Sequence, residues 1–143
     1  MKLEILATTA LLSTIALTAP AQAANPQHIQ QLLTTKSCPG CNLTGANLQQ
    51  AHLIGADLRN ANLAGANLKL ANLEGADLTG ANLKGANLSQ VFASDASLSA
   101  TNLTNVKLIN AELYNADLEG AVLANADLRG AILFGALYSG YSR

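Results

Sequence analysis

Through residues 41–140 a leucine recurs at every fifth position, and the residues around it repeat with it. Cut into fives, the stretch reads CNLTG, ANLQQ, AHLIG, ADLRN, ANLAG, ANLKL, ANLEG, ADLTG, ANLKG, ANLSQ, VFASD, ASLSA, TNLTN, VKLIN, AELYN, ADLEG, AVLAN, ADLRG, AILFG and ALYSG. The register never slips, so 100 residues make twenty units, and the central leucine is replaced only at Ala93 and Tyr138. A period of five fits neither regular element. On an α-helix a step of five rotates about 500°, so the leucines drift around the whole cylinder. On a strand the same step alternates faces and puts half of them in water. A chain that turns once per unit returns every leucine to the inside. Units this short bury a core only by stacking, which predicts a solenoid.

The motif A-(N/D)-L-x-G, repeated in this way, resembles the pentapeptide-repeat family. The resemblance implies an all-β fold, a right-handed quadrilateral β-helix with four units to each square coil, and hence about five coils here. At a strand spacing of about 4.8 Å the rod would be roughly 24 Å long. The small Ala46, Ala66 and Ala86 then point into a narrow interior, and Leu63, Leu83 and Leu103 stack in one column. Asn62, Asn82 and Asn102 stand outside, where a side-chain amide can bond nearby backbone and favour a turn. Gly or Asn at the end of a unit suits a corner with unusual dihedrals. Unit VFASD departs most: Val91 takes the place of the inward alanine, Ala93 that of the leucine, and Phe92 that of the outward Asn. Val91 and Ala93 together conserve interior volume, so the expectation is intact register rather than a bulge.

The chain before the repeat divides in two. Residues 1–23 have Lys2 near the start, an apolar run of about fifteen residues, Pro20, and Ala21-Gln22-Ala23 before a cleavage point between Ala23 and Ala24. This is the outline of a secretory signal peptide, and the run is shorter than the roughly 20 residues needed to span a bilayer. Export to the periplasm, a thylakoid lumen or the extracellular space follows as the expectation, with no stable membrane insertion after cleavage. Residues 24–40 read as a cap. Asn25 can cap a helix and Pro26 suits its first position, while Ile29, Leu32 and Leu33 share a face. Such a helix would cover the open first coil. At the other end, residues 141–143 form a short tail. Tyr138 and Tyr141 stand at inward positions and would cover the last coil, unless another subunit does.

Composition narrows the function. Charged residues are 12% of the chain, aromatics 3%, tryptophan is absent and the net charge is −1. A nucleic-acid binder would need a basic patch, so no nucleic acid is expected as partner. The chain has no nucleophile elbow or phosphate loop, and no acid/base pair that the repeat does not already explain. Neither a catalytic residue nor a cofactor site is assigned. Cys38-Pro39-Gly40-Cys41 is the one conspicuous chemical motif. An exported chain favours a structural disulfide between Cys38 and Cys41. A redox-active dithiol remains the alternative, although the βαβ context of thioredoxin-like proteins is missing. Two cysteines are an incomplete zinc set, and His28 and His52 lack ligand spacing, so no metal is expected and both histidines read as solvated surface. Asn42 after the second cysteine excludes covalent haem attachment, which needs His there.

With four units per coil, residues twenty apart share a face. One face collects Ile54, Phe92, Tyr114, Ile132 and Phe134, a hypothetical interaction surface polarised toward the C-terminal coils by Glu74 and Glu112. The next carries Asp57, Asp77, Asp117 and Glu119 and reads as solvated. The sequence thus predicts a non-enzymatic scaffold or protein-interaction module whose partner is another protein or a second copy of itself, as a homodimer.

Overall fold

The computed structural model describes residues 23–139. The signal-peptide reading of residues 1–22 and the covering role of Tyr141 lie outside the described residues.

Why a period of five closes on itself is visible in the backbone bonds. Each unit ends in a four-residue turn, closed by the amide of the next unit's first residue on the leucine carbonyl; Ala46 N–H donates to Leu43 O at 3.0 Å. The fifth residue of every unit from Gly40 to Gly135 has positive φ, between 53° and 74°. That is the demand of a type II turn at its third residue. Ten of these corners are glycine and the other ten are not, Leu70 and Ala100 among them. Four such turns bring the chain back over itself, and parallel bridges join residues twenty apart, from Ser37 with Asp57 to Asp117 with Leu137. Each bridge is one residue long, so the sides pair as a ladder without forming extended strands.

The ladder is regular. The leucine amide donates up to the second-position carbonyl of the next coil, as Leu83 does to Asn102 at 2.9 Å, and the second-position amide donates down, as Asn82 does to Ala61 at 2.9 Å. The first and third side chains of each unit point inward. Leu43 through Leu118 form the buried interior together with the alanines between them. Each buried leucine contributes about 1.5–3 kcal/mol. The Asn and Asp residues act on the turn that follows them: the side-chain oxygen accepts the amide two residues on, as Asn62 does from Ala64 at 3.2 Å and Asp77 from Thr79 at 2.9 Å. Some also bond vertically, Asn82 Nδ2 donating to Asn62 Oδ1 at 3.2 Å.

Unit VFASD keeps its register. Phe92 bridges Asn72 below and Glu112 above, while Val91 and Ala93 are both buried. Thr101, the one buried polar residue among those described, replaces an inward alanine and donates its hydroxyl to Leu98 O at 2.6 Å.

The repeat begins one unit before Cys41. Ser37 bridges Asp57, Cys38 N–H donates to Asp57 O, and Gly40 N–H donates to Arg59 O, so Lys36-Ser37-Cys38-Pro39-Gly40 is a unit with Cys38 in the leucine place. Helix α1, Pro26–Thr35, ends on Lys36, whose φ of 58° and amide bond to Leu32 O form its cap. The Lys36 carbonyl already accepts from Asp57 in the ladder. Asn25 caps the other end through Gln27 N–H at 2.9 Å. Leu32 is buried against the first coil and Ile29 partly so, whereas Leu33 is 41% exposed and does not join them.

Candidate interaction surfaces

The N-terminal end of the solenoid is closed by side-chain chemistry. A first coil has no coil beneath it, so its downward amides and carbonyls need other partners. His28 Nδ1 accepts Asn42 N–H at 2.9 Å, Asn25 N–H donates to Asn42 O at 3.1 Å, and Gln31 Nε2 donates to Ser37 O at 2.9 Å. His28 is therefore a backbone-capping residue, not the solvated surface group its isolated place in the sequence suggested. His52 is exposed on the side of the first coil.

Cys38 and Cys41 stand at disulfide distance, Cα to Cα 5.4 Å, and both are buried. Their positions follow from the repeat. Cys38 heads the column of Leu58, Leu78 and Leu98, and Cys41 heads that of Ala61, Ala81 and Thr101, so both point inward across one corner.

The five apolar residues of the sequence-derived surface do lie on one face, all exposed, but they divide. Tyr114 and Phe134 occupy the same outward position in successive coils, and Ile132 stands in the same unit as Phe134. Tyr114 is 38% exposed and Phe134 77%. Phe92 is one rung below Glu112 in the bridge ladder that leads on to Ile132. Ile54 is three coils from Tyr114, about 14 Å at ladder spacing, with Glu74 and Ser94 between them.

The acidic face is partly neutralised. Arg59 bonds Asp57 through two nitrogens at 2.9 and 2.7 Å and lies 3.7 Å from Asp77. The guanidinium bond holds the Asp57 carboxyl below the usual carboxylate range, and Arg129 does the same to Asp127. Among the described residues, no three His, Cys, Asp or Glu side chains are placed to hold a metal ion. No described helix is long and apolar enough to cross a membrane.

The C-terminal end holds features that the face analysis missed. Val122, Ile132 and Leu137 occupy the second position of their units, where nearly every earlier unit carries a polar residue, and Val122 and Leu137 are 52% and 62% exposed. Beneath them lies an apolar cavity of about 160 Å³, lined by leucines of the last two coils and by Tyr138. The loss of the polar second position in the last coil was the available sequence signal.

Comparison with known proteins agrees with this architecture. Solved structures similar to the chain include the pentapeptide repeat protein Rfr23 of the cyanobacterium Cyanothece 51142. That match has 30% identity over 80% of this chain and 95% of the other, with a TM-score of 0.59. The pentapeptide repeat protein alr5209 of Nostoc PCC 7120 matches at 29% identity over 82% and 98% of the two chains, with a TM-score of 0.65. The plasmid-mediated fluoroquinolone resistance protein QnrB1 shares the fold at 21% identity over 71% of this chain and 60% of its own, with a TM-score of 0.59. A search of curated proteins finds no significant match. The family model for pentapeptide repeats matches residues 41–80, 76–113 and 111–136, and on this ground the chain belongs to the pentapeptide-repeat family.

Proposed function

We propose that the chain is an exported, non-enzymatic scaffold that binds a protein partner through the face of Tyr114, Ile132 and Phe134. The observation that carries this reading is the exposure of these three side chains side by side on the last two coils of an aromatic-poor chain. Scattered apolar surface is ordinary, but a clustered patch on a rigid face is a binding feature. The regular ladder supports the finer description of the solenoid as a right-handed quadrilateral β-helix. It fixes the face without a costly ordering step on binding. The signal-like residues 1–23, with a cut between Ala23 and Ala24, support delivery to the periplasm, thylakoid lumen or extracellular space. The near-neutral charge supports a partner other than nucleic acid.

The test is the double substitution Tyr114→Ser with Phe134→Ser. Both side chains are outside the core, so the melting temperature stays within a few degrees of the unsubstituted chain. Recovery of the partner from extracts of the native compartment falls at least tenfold. Equal recovery by the two proteins removes the assignment of this face.

The cysteine pair fits a structural bridge across the first corner of the solenoid, joining its first two units. Both sulfurs are shielded from a partner thiol, and exchange needs access to the attacked sulfur. A reduction potential below about −300 mV fits that role, whereas a value near those of thiol-disulfide oxidoreductases would establish the redox alternative.

A further inference from the structure

We infer that the surface around Tyr114 takes a cationic amphipathic segment of another protein, with apolar side chains along one edge and Arg or Lys along the other. The inference rests on the binding face proposed above and names the chemistry of its partner. It starts from the distribution of charge, which a net value of −1 conceals. Of the described carboxylates, all but Asp127 stand on two adjacent faces, that of Tyr114 and the acidic face that follows it. Above the first coil, every described Lys or Arg stands on the other two faces: Lys69, Lys84, Lys107 and Arg129. Asp127 lies on that basic side and is paired with Arg129 at 2.7 Å. The solenoid is therefore polarised across its axis, one half acidic and the other basic. Arg59 is the exception, and it neutralises Asp57 and Asp77 toward the N-terminal end, away from Tyr114.

The acidic half and the apolar patch meet at one corner. Tyr114 directly precedes Asn115, the corner residue with a φ of 53°, and Asp117 is the second residue after it. The ladder sets what lies above each: Ile132 above Glu112, Phe134 above Tyr114 and Leu137 above Asp117. The last coil thus presents an apolar row across the corner. The coil beneath it, about 4.8 Å lower, presents the carboxylates of Glu112, Asp117 and Glu119, interrupted by the ring of Tyr114. One segment spans both rows, since an α-helix with its side chains is about 10–12 Å across. A wholly apolar partner would desolvate the carboxylates without pairing them, and a wholly basic one would leave Ile132 and Phe134 in water. A segment with both edges meets both rows.

Arginine suits the middle of this surface best. A guanidinium laid on the exposed ring of Tyr114 gains from the aromatic face and keeps its edge donors free for a carboxylate. Glu112 and Asp117 are half-buried, so a cation bound there is screened by salt less than one on open surface. The basic half of the solenoid repels the same segment, which fixes the side on which it docks. The carboxylates in turn repel phosphate-bearing surfaces, nucleic acid and anionic membrane alike. The charge of Asp117 is not needed for its turn. Its side-chain oxygen accepts Glu119 N–H at 2.9 Å, as that of Asn102 accepts Thr104 N–H at 3.1 Å, so an asparagine keeps the fold while removing the charge.

The probe is a synthetic helical peptide of about five turns, with leucine along one face and arginine at the flanking positions. In titration calorimetry it binds the full chain at one site, and more weakly as salt rises. Replacing its arginines by glutamate, or its leucines by serine, weakens binding at least about tenfold. Glu112→Gln with Asp117→Asn weakens it at least about fivefold and flattens the salt dependence, at an unchanged melting temperature. Glu74→Gln with Asp77→Asn removes the same charge from the same two faces lower down, and leaves binding within about twofold. Equal weakening by the two pairs would mean diffuse attraction to acidic surface and overturns the inference. Undiminished binding of the glutamate or the serine peptide overturns it as well. A chain that binds no peptide but self-associates through Glu112 and Asp117 has the basic half of a second copy as occupant, which also overturns it. Failure of the binding face is read separately in the capture assay. A partner lost with Tyr114→Ser and Phe134→Ser but kept with Glu112→Gln and Asp117→Asn leaves the face standing and overturns the cationic chemistry.

Discussion

Leu83→Ala tests the stacked interior most directly. Leu83 is fully buried, and so are Leu63 and Leu103 below and above it in the same column. Truncation therefore opens a cavity bounded on two sides by fixed leucines. The backbone cannot close the gap, because Leu83 N–H is held by Asn102 O at 2.9 Å and Asn82 N–H by Ala61 O at 2.9 Å. Leucine-to-alanine changes in cores cost about 2–5 kcal/mol, and sites that cannot relax fall in the upper half of that range. The expected loss is about 3–5 kcal/mol. For a domain of this size 1 kcal/mol moves the melting temperature by roughly 4 °C, so the shift is about 12–20 °C. The control is Lys84→Ala, one residue along on the exposed side, which changes stability by less than about 0.5 kcal/mol. Urea unfolding followed by circular dichroism reads both, and an unchanged slope against denaturant keeps the comparison one of stability alone. Variants that differ by less than 1 kcal/mol would refute the assignment of inward and outward positions.

Three further outcomes follow from particular contacts. Ala93→Leu alone overpacks a coil that Val91 already fills and destabilises by about 1–3 kcal/mol, while the pair Ala93→Leu with Val91→Ala restores the repeat and recovers most of that loss; equal stability of the two variants would disprove volume compensation. His28→Ala removes the acceptor of Asn42 N–H, costs about 1 kcal/mol, and speeds hydrogen exchange at the Asn42 amide while amides of the middle coils keep their protection. Arg59→Gln releases the Asp57 carboxyl, so its titration moves up toward the ordinary aspartate range in carbon-detected NMR. Because that pKa is depressed in the folded chain, the pair's small contribution is present above the ordinary aspartate pKa and is lost as pH falls through the depressed one, and the variant is correspondingly less sensitive to acid.

What could be read from the chain and what could not have a common physical cause. A periodic signal adds over many copies, so a leucine every five residues excluded helix and strand before any coordinate was known, and Val91 with Ala93 was readable as a repacked unit because its neighbours set the frame. Singular contacts carry no such sum. His28 occurs once, and only the open lower edge of the first coil gives its ring nitrogen an amide to accept. The first unit escaped because leucine served as its marker: Lys36-Ser37-Cys38-Pro39-Gly40 has a polar second residue and a terminal glycine in phase, but a cysteine at its centre. The same reasoning applies in reverse at the other end. Ile132 and Phe134 drew attention as apolar residues on a face, whereas the more telling departure was at Val122 and Leu137, where a position occupied by Asn or Asp for turn capping becomes aliphatic. In a repeat, the consensus states what a position does for the fold. A run of aliphatic second positions, as at Val122, Ile132 and Leu137, therefore stands out against the consensus more sharply than any single apolar residue on a face.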